Sequence, residues 1–321
     1  MNFKVAPYTP GDEGKILELF RLVYNREMTG DYWRWRFAGN PAGSRMIELC
    51  WDGSTLAGHY AVSPVKMVIN GREYLTALSM TTMTHPDYRK KGIFTTLARS
   101  LYRRLENEGV VMIWGFPNNN SYHGFMTKLN WFPLARIPKL AINRFQKGQL
   151  LPGRSRPEII DVDRIDHRFD ELWHQVDKSG VNMVVRDSRY LQWRYLDNPV
   201  NNYKIFAWQG FTSIAGYVIL KTYRDISGED GEIVDLMAIN NEINFKLISH
   251  AVNYFFKQEV DRITIWLNAR TMLYRAAVEL GFEPTDELTH LGAMVNGTQI
   301  SQKDVNDYTR WFVTMGDSDI Y

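Results

Sequence analysis

The chain has 321 residues, more than a single domain usually contains, and this length suggests two domains. Its 38 Lys and Arg residues nearly balance its 36 Asp and Glu residues, and the net charge of +2 excludes a charge excess that would drive binding to nucleic acid or to an anionic membrane. The single cysteine, Cys50, excludes an internal disulfide and a cysteine metal cluster and fits a reducing compartment.

The first half of the chain alternates predicted helices with predicted strands. Apolar residues at helical spacing predict the helices, and β-branched runs between turn residues predict the strands. Asn70-Gly71 is a strong hairpin signal between two strands, and His85-Pro86 ends the second of them. The predicted elements are a helix over 14–23, strands over 46–51, 55–63, 65–69 and 73–84, a helix over 92–107, a strand over 110–116 and a helix over 121–129.

The second half follows a similar course, with a helix over 241–257, a strand over 261–267 and a helix over 271–280. Between the halves, the segment 147–158 contains two Gly and two Pro residues, which indicates a linker. We therefore predict domains over 1–150 and 151–321. A helix follows a central strand in each half, so the predicted class is α/β (α+β), with a mixed central sheet flanked by helices in each domain.

The two halves share a sequence repeat. Tyr32–Pro41 reads YWRWRFAGNP and Tyr190–Pro199 reads YLQWRYLDNP, so Tyr, Trp, Arg, Asn and Pro recur at the same spacing. The offset is 158 residues, and Ala57-Gly58 recurs at the same offset as Ala215-Gly216. Matches that stay collinear over most of each half indicate that the two domains are copies of one fold.

The residues around Gly92 combine a helix start with positive charge. A predicted strand ends at Thr84, a turn follows, and Arg89-Lys90-Lys91-Gly92 directly precede an amphipathic helix. A helix start offers unpaired backbone N–H groups and the positive end of the helix dipole, and both favour a phosphate group. Glycine also permits close approach of a ligand to the backbone. The plain alternative is a basic helix start on a solvated surface.

The pattern Arg89-x-x-Gly92-x-Phe94 after a strand resembles the acyl-CoA pyrophosphate loop, Gln/Arg-x-x-Gly-x-Gly/Ala, of the GNAT N-acyltransferase superfamily. Phe94 departs from that pattern and is expected to leave less room in the loop. The resemblance implies that backbone N–H groups of the loop hold the pyrophosphate and that the strand Ser79–Thr84 pairs with the pantetheine arm. The acyl-CoA-binding residues that it implies here are Met83, Thr84, Arg89, Lys90, Lys91, Gly92, Ile93, Phe94 and Thr95.

A second block, from Trp114 to Trp131, is similar to the GNAT element Asn-x-x-Ala-x-x-x-Tyr-x-Lys-x-Gly-Phe. Phe125 or Met126 falls where that element has a Tyr, which often protonates the leaving thiolate. Tyr122 or His123 then takes that role, or no such acid exists. An additional role of Asn118 as a helix N-cap is compatible with ligand binding. The residues of this block expected to contact acyl-CoA are Asn118, Ser121, Phe125 and Lys128.

The second half has a counterpart of the end of the second block but no counterpart of the acyl-CoA loop. Leu280-Gly281-Phe282 is similar to the end of a GNAT domain, whereas the stretch 239–246 reads INNEINFK and contains no glycine. Glu242 in this stretch would repel a pyrophosphate. We therefore predict two tandem GNAT-like domains, of which only the first binds acyl-CoA, either acetyl-CoA or a longer acyl-CoA.

The repeated block supplies two candidate functions. Planar Arg and aromatic side chains suit a nucleotide diphosphate and its base, although the same residues also serve as core anchors and internal ion pairs. The C-terminal tail, Trp311–Asp319, resembles the tails of tandem-GNAT N-acyltransferases that modify the 3-amino group of a dTDP-linked 3-amino-3,6-dideoxyhexose. Asp317 and Asp319 either contact the sugar or cap the chain end. The candidate acceptor-binding residues are Trp35, Arg36, Trp193, Arg194, Asn268 and Asp317.

The resemblance implies direct attack of an amine on the thioester, without a covalent enzyme intermediate. A backbone N–H near Met83 would polarise the carbonyl, by analogy to the family. The base that takes the proton from the amine is not readable on the strand 78–84, which has no carboxylate. The candidates for acid and base are Tyr122, His123, His59 and Asp235.

Two other functions are considered. A FemABX-like aminoacyl transferase is disfavoured by the near-neutral charge and the intact loop, and a non-catalytic acyl-CoA-binding module is favoured only by the missing Tyr. The 7 His residues are scattered without ligand spacing, so no metal is expected. The sequence has no signal-peptide pattern and no apolar run of about 20 residues, so we expect a cytoplasmic protein without membrane insertion.

Overall fold

The structure, a computed structural model, describes residues 3–144, 158–210, 213–225 and 228–321. The chain divides into two compact units: unit 1 comprises Met1–Ala135 and His290–Asp307, and unit 2 comprises Arg136–Thr289 and Tyr308–Tyr321. The linker expected over 147–158 lies, apart from Glu158, outside the described residues.

The strands are β1 (Lys4–Pro7), β2 (Ile47–Asp52), β3 (Thr55–Ile69), β4 (Arg72–Thr84), β5 (Met112–Gly115), β6 (Phe132–Asn143), β7 (Ile159–Val162), β8 (Met183–Val184), β9 (Lys204–Gln209), β10 (Ile214–Asp225), β11 (Gly228–Ala238), β12 (Arg262–Trp266) and β13 (Glu283–Val295). The α-helices are α1 (Glu13–Tyr24), α2 (Gly30–Trp33), α3 (Ile93–Asn107), α4 (Asn119–Lys128), α5 (His167–Gln175), α6 (Ser188–Leu191), α7 (Asn241–Lys257), α8 (Met272–Glu279) and α9 (Gln302–Val305).

Each unit contains a mixed sheet flanked by helices, which confirms the predicted class. In unit 1 the strand order is β1-β2-β3-β4-β5-β13; among the described pairs in this order, β4 and β5 are parallel and the others are antiparallel. In unit 2 the order is β6-β12-β11-β10-β9-β7, and only β11 and β12 are parallel.

After most of unit 2, the chain returns to unit 1. The predicted domains, 1–150 and 151–321, do not include this return. Strand β13 begins at Glu283, in unit 2, and its last residues, Gly292–Val295, pair with β5 of unit 1. The division of the chain into units therefore follows strand pairing, which joins residues far apart in sequence.

Alternate residues of the unit 1 strands face two hydrophobic clusters, as a strand period of two requires. Tyr60 and Val62 of β3 face the cluster under α3, which contains Leu97 and Leu101. On the other face, Ala61 of β3 packs with α1 and the segment after it. In unit 2, α7 and α8 bury apolar residues against the strands β10, β11 and β12.

Most predicted elements of unit 1 appear within a few residues of their expected bounds. The hairpin turn at Asn70-Gly71 is present, with φ of +50° and +78°, as the Asn-Gly pair requires. The two strands expected over 55–63 and 65–69 are one strand, β3, because Pro64 lacks only the N–H donor and still aligns with Ala77.

The sequence repeat is a structural repeat. Helix α2 continues into a π-helix at Arg34–Ala38, and helix α6 continues into a π-helix at Gln192–Leu196. Both pairs of elements are separated by the same 158 residues that separate the repeated motifs. π-Helices are rare, so their recurrence at one register supports two copies of one fold.

Candidate active site

Strands β4 and β5 of unit 1 pair over a short stretch only. Their parallel pairing covers only Ala77 with Ile113 and Leu78 with Trp114. Strand β4 then continues through Ser79–Thr84, whereas β5 ends at Gly115. On its β5 side this stretch of β4 has no further strand partner among the described residues, so its backbone groups can pair with an extended ligand. We call this unpaired β5 side of Ser79–Thr84 the slot.

A β-bulge lies on β4 beside the slot. His59 of β3 aligns with Met83 and Ala61 aligns with Met80, so two residues of β4, Thr81 and Thr82, lie opposite one residue of β3. One of them, Thr81, has a φ of +48°. A bulge redirects backbone groups that would otherwise complete the ladder.

Helix α3 follows β4 after a short turn and has an open N-terminus. Gly92 is its N-cap, with a φ of +76°, and no described side chain caps the helix. The amide of Thr96 donates to the carbonyl of Gly92 at 3.1 Å, so the amides of residues 93–95 precede the first helical hydrogen bond. A Cβ at Gly92 would meet no atom within 4 Å, so the positive φ, and not crowding by protein atoms, favours glycine.

Three basic residues surround this helix start. Arg89, Lys90 and Lys91 are exposed, and Lys90 also has a positive φ of +64°. Lys91 Nζ donates to the carbonyl of Asp87 at 2.9 Å and lies 4.6 Å from the ring centroid of Tyr88. The charges and the open amides together make this helix start a candidate site for a phosphate or pyrophosphate group.

The ring of Phe94 packs beneath α4. Its atoms lie 3.1 Å from the position of a Cβ at Gly124, and its centroid is 5.2 Å from that of Phe125. This packing gives the physical reason why a large residue is tolerated here: its side chain fills space between α3 and α4. Phe125 is likewise buried, between Phe94 and Trp131.

Asn118 is the N-cap of helix α4, and its Oδ1 accepts hydrogen bonds from the amides of Asn120 and Ser121. This N-cap uses only the Oδ1 oxygen of the exposed Asn118 side chain, which is consistent with an additional contact to a ligand. Lys128 is exposed at the last turn of α4, and its carbonyl accepts from Arg99 at 3.2 Å.

The candidate acid and base residues lie in different surroundings. Tyr122 is half-buried on α4, and its ring centroid is 4.3 Å from that of His290, which is also in unit 1. His123 is exposed on the same helix. Met83 is buried on β4 opposite His59. Asp235 belongs to unit 2.

Sequence reasoning missed a chain of hydroxyl groups at the closed end of the slot. Tyr60 OH lies 2.8 Å from Ser79 Oγ and 2.7 Å from Tyr102 OH. Burial raises the pKa of both phenols, so they stay protonated at neutral pH. The three residues come from β3, β4 and α3, and no motif links such distant positions in the sequence.

In unit 2, Asp235 and Asp317 are both bound to a buried arginine that the sequence did not single out. Arg186 is 0% exposed, and its Nε lies 3.1 Å from both Asp235 oxygens. Its Nη2 lies 2.9 Å from both Asp317 oxygens. Thr314 and Tyr195 also donate to Asp235, at 3.0 Å and 2.8 Å. These contacts occupy the two carboxylates, so their geometry favours an anchoring role over contact with a sugar or a proton-transfer role.

Arg194 and Asn268 hold the C-terminal segment of the chain. Arg194 donates to the carbonyls of Gly316, Ser318 and Tyr321 at 3.1, 3.2 and 2.5 Å. Asn268 Nδ2 donates to the carbonyls of Tyr308 and Trp311 at 2.8 Å and 3.1 Å. Trp193 is buried beside Arg194. The structure thus places these three candidate acceptor residues inside unit 2.

The equivalent residues of unit 1 are also buried. Trp35 is 8% exposed and Arg36 is 3% exposed. Arg36 Nε lies 3.2 Å from the sulfur of Met80, and its guanidinium lies 5.5 Å from the Trp35 ring. This position supports the core-anchor interpretation of the repeated block.

Two further features bear on the chemistry. No cluster of three or more His, Cys, Asp or Glu side chains suited to a metal ion occurs in the described part of the chain. Among the described helices, none has the length and apolar character needed to cross a bilayer.

Residues 4–133 match the sequence family described as an acetyltransferase (GNAT) domain, and they lie within unit 1. No curated protein matches the chain significantly. Over residues 4–133, unit 1 is therefore similar to GNAT acetyltransferase domains.

Solved structures share the fold at low sequence identity. A GCN5-related N-acetyltransferase from Anabaena variabilis has a TM-score of 0.71 at 13% identity, over 92% of this chain and 73% of that one. A probable N-acyltransferase from Enterococcus faecalis has a TM-score of 0.69 at 14% identity, over the same shares. Saccharomyces cerevisiae N-myristoyltransferase with bound myristoyl-CoA has a TM-score of 0.63 at 11% identity, over 97% of this chain and 84% of that one.

Proposed function

We propose that unit 1 binds acyl-CoA in the slot and transfers its acyl group directly to an amine. The observation that carries this proposal is the continuity between the slot and the helix start. The stretch Ser79–Thr84 lines the slot, and only the turn 85–88 separates it from Arg89 and the open N-terminus of α3. In acyl-CoA, the extended pantetheine arm and the pyrophosphate follow each other in the same order as the slot and the helix start.

The parts of acyl-CoA would take distinct positions. The pyrophosphate would accept hydrogen bonds from the amides of residues 93–95, with Arg89 and Lys90 beside it. The pantetheine amides would pair with the backbone of Ser79–Thr84, and the thioester would lie at the bulge near Met83. The bound myristoyl-CoA of the yeast enzyme of similar fold supports an acyl-CoA ligand.

Catalysis would come from positioning the amine against the thioester and from polarising the thioester carbonyl. The neutral amine attacks the thioester carbonyl, a backbone N–H of the bulge stabilises the oxyanion, and the C–S bond breaks as the C–N bond forms. The amine loses one proton and the departing thiolate gains one. Tyr122, on α4 near Asn118, is our candidate donor to the thiolate, because its phenol stands in for the Tyr that Phe125 replaces.

Unit 2 would bind no acyl-CoA. The corresponding helix, α7, is capped by Asn240, whose Oδ1 accepts from the amide of Ile243 at 3.0 Å. Glu242 adds a negative charge to its first turn. A capped and acidic helix start disfavours a pyrophosphate, so we expect one acyl-CoA per chain.

For the acceptor we propose the amine of a nucleotide-linked amino sugar, with a dTDP-linked 3-amino-3,6-dideoxyhexose as the first candidate. The resemblance of the tail 311–319 supports this choice. The burial of Trp35, Arg36, Trp193 and Arg194 means that acceptor contacts would come from other residues.

The test combines a binding measurement with turnover. Calorimetry with CoA should give one site per chain, and free-thiol release should appear with acetyl-, propionyl- or hydroxybutyryl-CoA and one member of a panel of nucleotide amino sugars. Binding without turnover on any acceptor would support the non-catalytic module. Turnover only with aminoacyl-tRNA would support the FemABX-like alternative, and two CoA sites would contradict the assignment to unit 1 alone.

A further inference from the structure

The bulge on β4 contains a strained residue. Thr81 has a φ of +48°, in the left-handed region that β-branched residues strongly disfavour. Such a conformation costs of order 1–3 kcal/mol and persists only where neighbouring groups hold it. The residues around Thr81 must therefore supply that restraint.

His59 holds the carbonyl of Thr81. Its Nδ1 lies 2.8 Å from the Thr81 carbonyl oxygen, and a carbonyl oxygen can only accept, so Nδ1 carries the hydrogen. The imidazole is 0% exposed, and burial lowers the pKa of His59 to about 4, so the ring is neutral at physiological pH. A buried neutral imidazole with a fixed tautomer is a permanent hydrogen-bond donor at this position.

The planarity of the peptide bond connects this contact to the slot. The carbonyl of Thr81 and the N–H of Thr82 belong to one trans peptide unit, so they point in opposite directions. His59 lies on β3, on one side of β4, and the slot lies on the other side. A carbonyl that is held toward His59 therefore aims the Thr82 N–H toward the slot.

The neighbouring carbonyl is held in the same manner. The hydroxyl of Tyr24, at the end of α1, donates to the carbonyl of Thr82 at 3.1 Å. Side chains thus fix two successive carbonyls of the bulge. The peptide units on both sides of Thr82 are positioned by groups outside the slot.

In unit 2 the bulge lies at a different position, because the register shifts between Ile219 and Leu220 and leaves Val234 of β11 as the extra residue. Gly216 pairs with Ala238 as Gly58 pairs with Thr84, so Asp235 and Leu236 correspond to Thr81 and Thr82. The Leu236 N–H donates to Asp235 Oδ1 at 2.9 Å, so a carboxylate already occupies it.

Strand β11 also has no non-glycine residue with a positive φ over its described length. Tyr217, the counterpart of His59, contacts the side chain of Asp235 and not a backbone carbonyl. The strained residue and its histidine support thus occur in the unit that carries the slot and have no counterpart at the corresponding described residues of β10 and β11.

We propose that His59 is a positioning residue that holds Thr81 in its strained conformation and thereby directs the Thr82 N–H at the thioester oxygen of acyl-CoA. This inference rests on the proposed function, because the oxyanion forms only if acyl-CoA occupies the slot. His59 itself touches no reacting atom. Its contribution is a fixed direction for one backbone donor, which acts when charge develops on the oxygen.

The test is a matched pair of substitutions. The amide nitrogen of Asn takes the place of Nδ1, so His59→Asn keeps the donor to Thr81, whereas His59→Gln places its amide near Nε2 and loses that donor. We expect kcat of His59→Gln to fall roughly 10- to 100-fold, with CoA affinity unchanged, and kcat of His59→Asn to stay within about threefold of the wild type. Tyr217→Phe is the unit 2 control and should leave kcat unchanged.

A double substitution separates the loss of positioning from simple misfolding. Glycine adopts a positive φ without strain, so Thr81→Gly should reduce the effect of His59→Gln on kcat to within about threefold. Equal losses in His59→Asn and His59→Gln, or a loss in His59→Gln that Thr81→Gly leaves unchanged, would overturn the proposal. Failure of the wild type to bind CoA or to release thiol would instead contradict the proposed function.

Discussion

The ends of the paired parallel strands differ between the two units. In unit 1 the pairing of β4 and β5 stops at Leu78 and Trp114, and the slot beyond it leads to an uncapped helix with three basic residues. In unit 2 the pairing of β11 and β12 stops at Ile233 and Ile265, and the chain's own C-terminal segment lies beyond it.

That segment contacts the ends of both unit 2 strands. Thr314 donates to Asp235 of β11, and Asn268, just after β12, donates to two carbonyls of residues 308–311. Beyond the parallel pairing, the C-terminal segment thus contacts the strand ends in unit 2, whereas Ser79–Thr84 of unit 1 has no further strand partner on its β5 side among the described residues. Helix α7 of unit 2 also has a side-chain cap, Asn240.

The largest expected effect is on the stability of unit 2. Asp235→Asn weakens the buried pair with Arg186 and should lower the free energy of unfolding by about 3 kcal/mol, because a buried charge loses one of its partners. Denaturant unfolding measures this change. The control Asp161→Asn breaks an exposed pair with Lys204 and should cost less than about 1 kcal/mol. Unchanged stability with lost turnover would instead identify Asp235 as the general base.

A pH titration tests the buried imidazole of unit 1. His59 has a native pKa of about 4, below the ordinary value of 6.5, so between these values the unfolded chain binds more protons. Stability should therefore fall as the pH drops from about 6.5 to 4, by up to about 3 kcal/mol.

The comparison variants isolate this contribution. His59→Asn should remove it from the pH dependence of unfolding, whereas the exposed His123→Asn should leave the dependence as in the wild type. Identical pH profiles of the wild type and His59→Asn would contradict the assignment.

The helix start of unit 1 can be blocked directly. Gly92→Val places a branched side chain where acyl-CoA would lie and disfavours the φ of +76°, so CoA affinity should fall at least about 100-fold. Gly71→Val is the matched control, because Gly71 has a φ of +78° and equally open surroundings in the β3–β4 hairpin. Similar losses of CoA affinity in both variants would show that backbone strain, and not the blocked site, is responsible.

The smallest effect concerns charge. Arg89→Glu should weaken CoA binding roughly tenfold at low salt and less at high salt, since the exposed charge is screened. Lys66→Glu changes an exposed lysine of β3 and should have little effect. Calorimetry at two salt concentrations separates the cases. An equal effect of the two variants would indicate a general attraction to net charge, without a local site at α3.

The sequence predicted features that depend on neighbouring residues. Helix α3, the turn at Asn70-Gly71 and the glycine N-cap at Gly92 follow from apolar spacing and from backbone preferences within a few positions. The repeated Tyr-x-x-Trp-Arg block predicted two copies of one fold, and the equivalent π-helices bear this out. The loss of the cofactor loop in the second half is also a local property, readable from Glu242 and the missing glycine.

Features that depend on contacts between residues far apart in the sequence were not predicted from the sequence. The same Trp-Arg block that suggested a nucleotide site is buried in both units, because an isolated Arg has the same signature on a surface and in a core. The return of residues 290–307 to unit 1 depends on the pairing of β13 with β5. No local pattern specifies such a partner.

The amino-acid sequence by itself predicted that the chain has two related halves, and that the first half alone has a helix start suited to a phosphate group. Only the tertiary structure decided what the duplicated side chains do. Strand register brings His59 to Thr81 in unit 1 and places Asp235 beside Arg186 in unit 2. Burial then makes one group a neutral donor and the other an ion-pair partner, since a low-dielectric interior allows a polar group only the role that its neighbours satisfy.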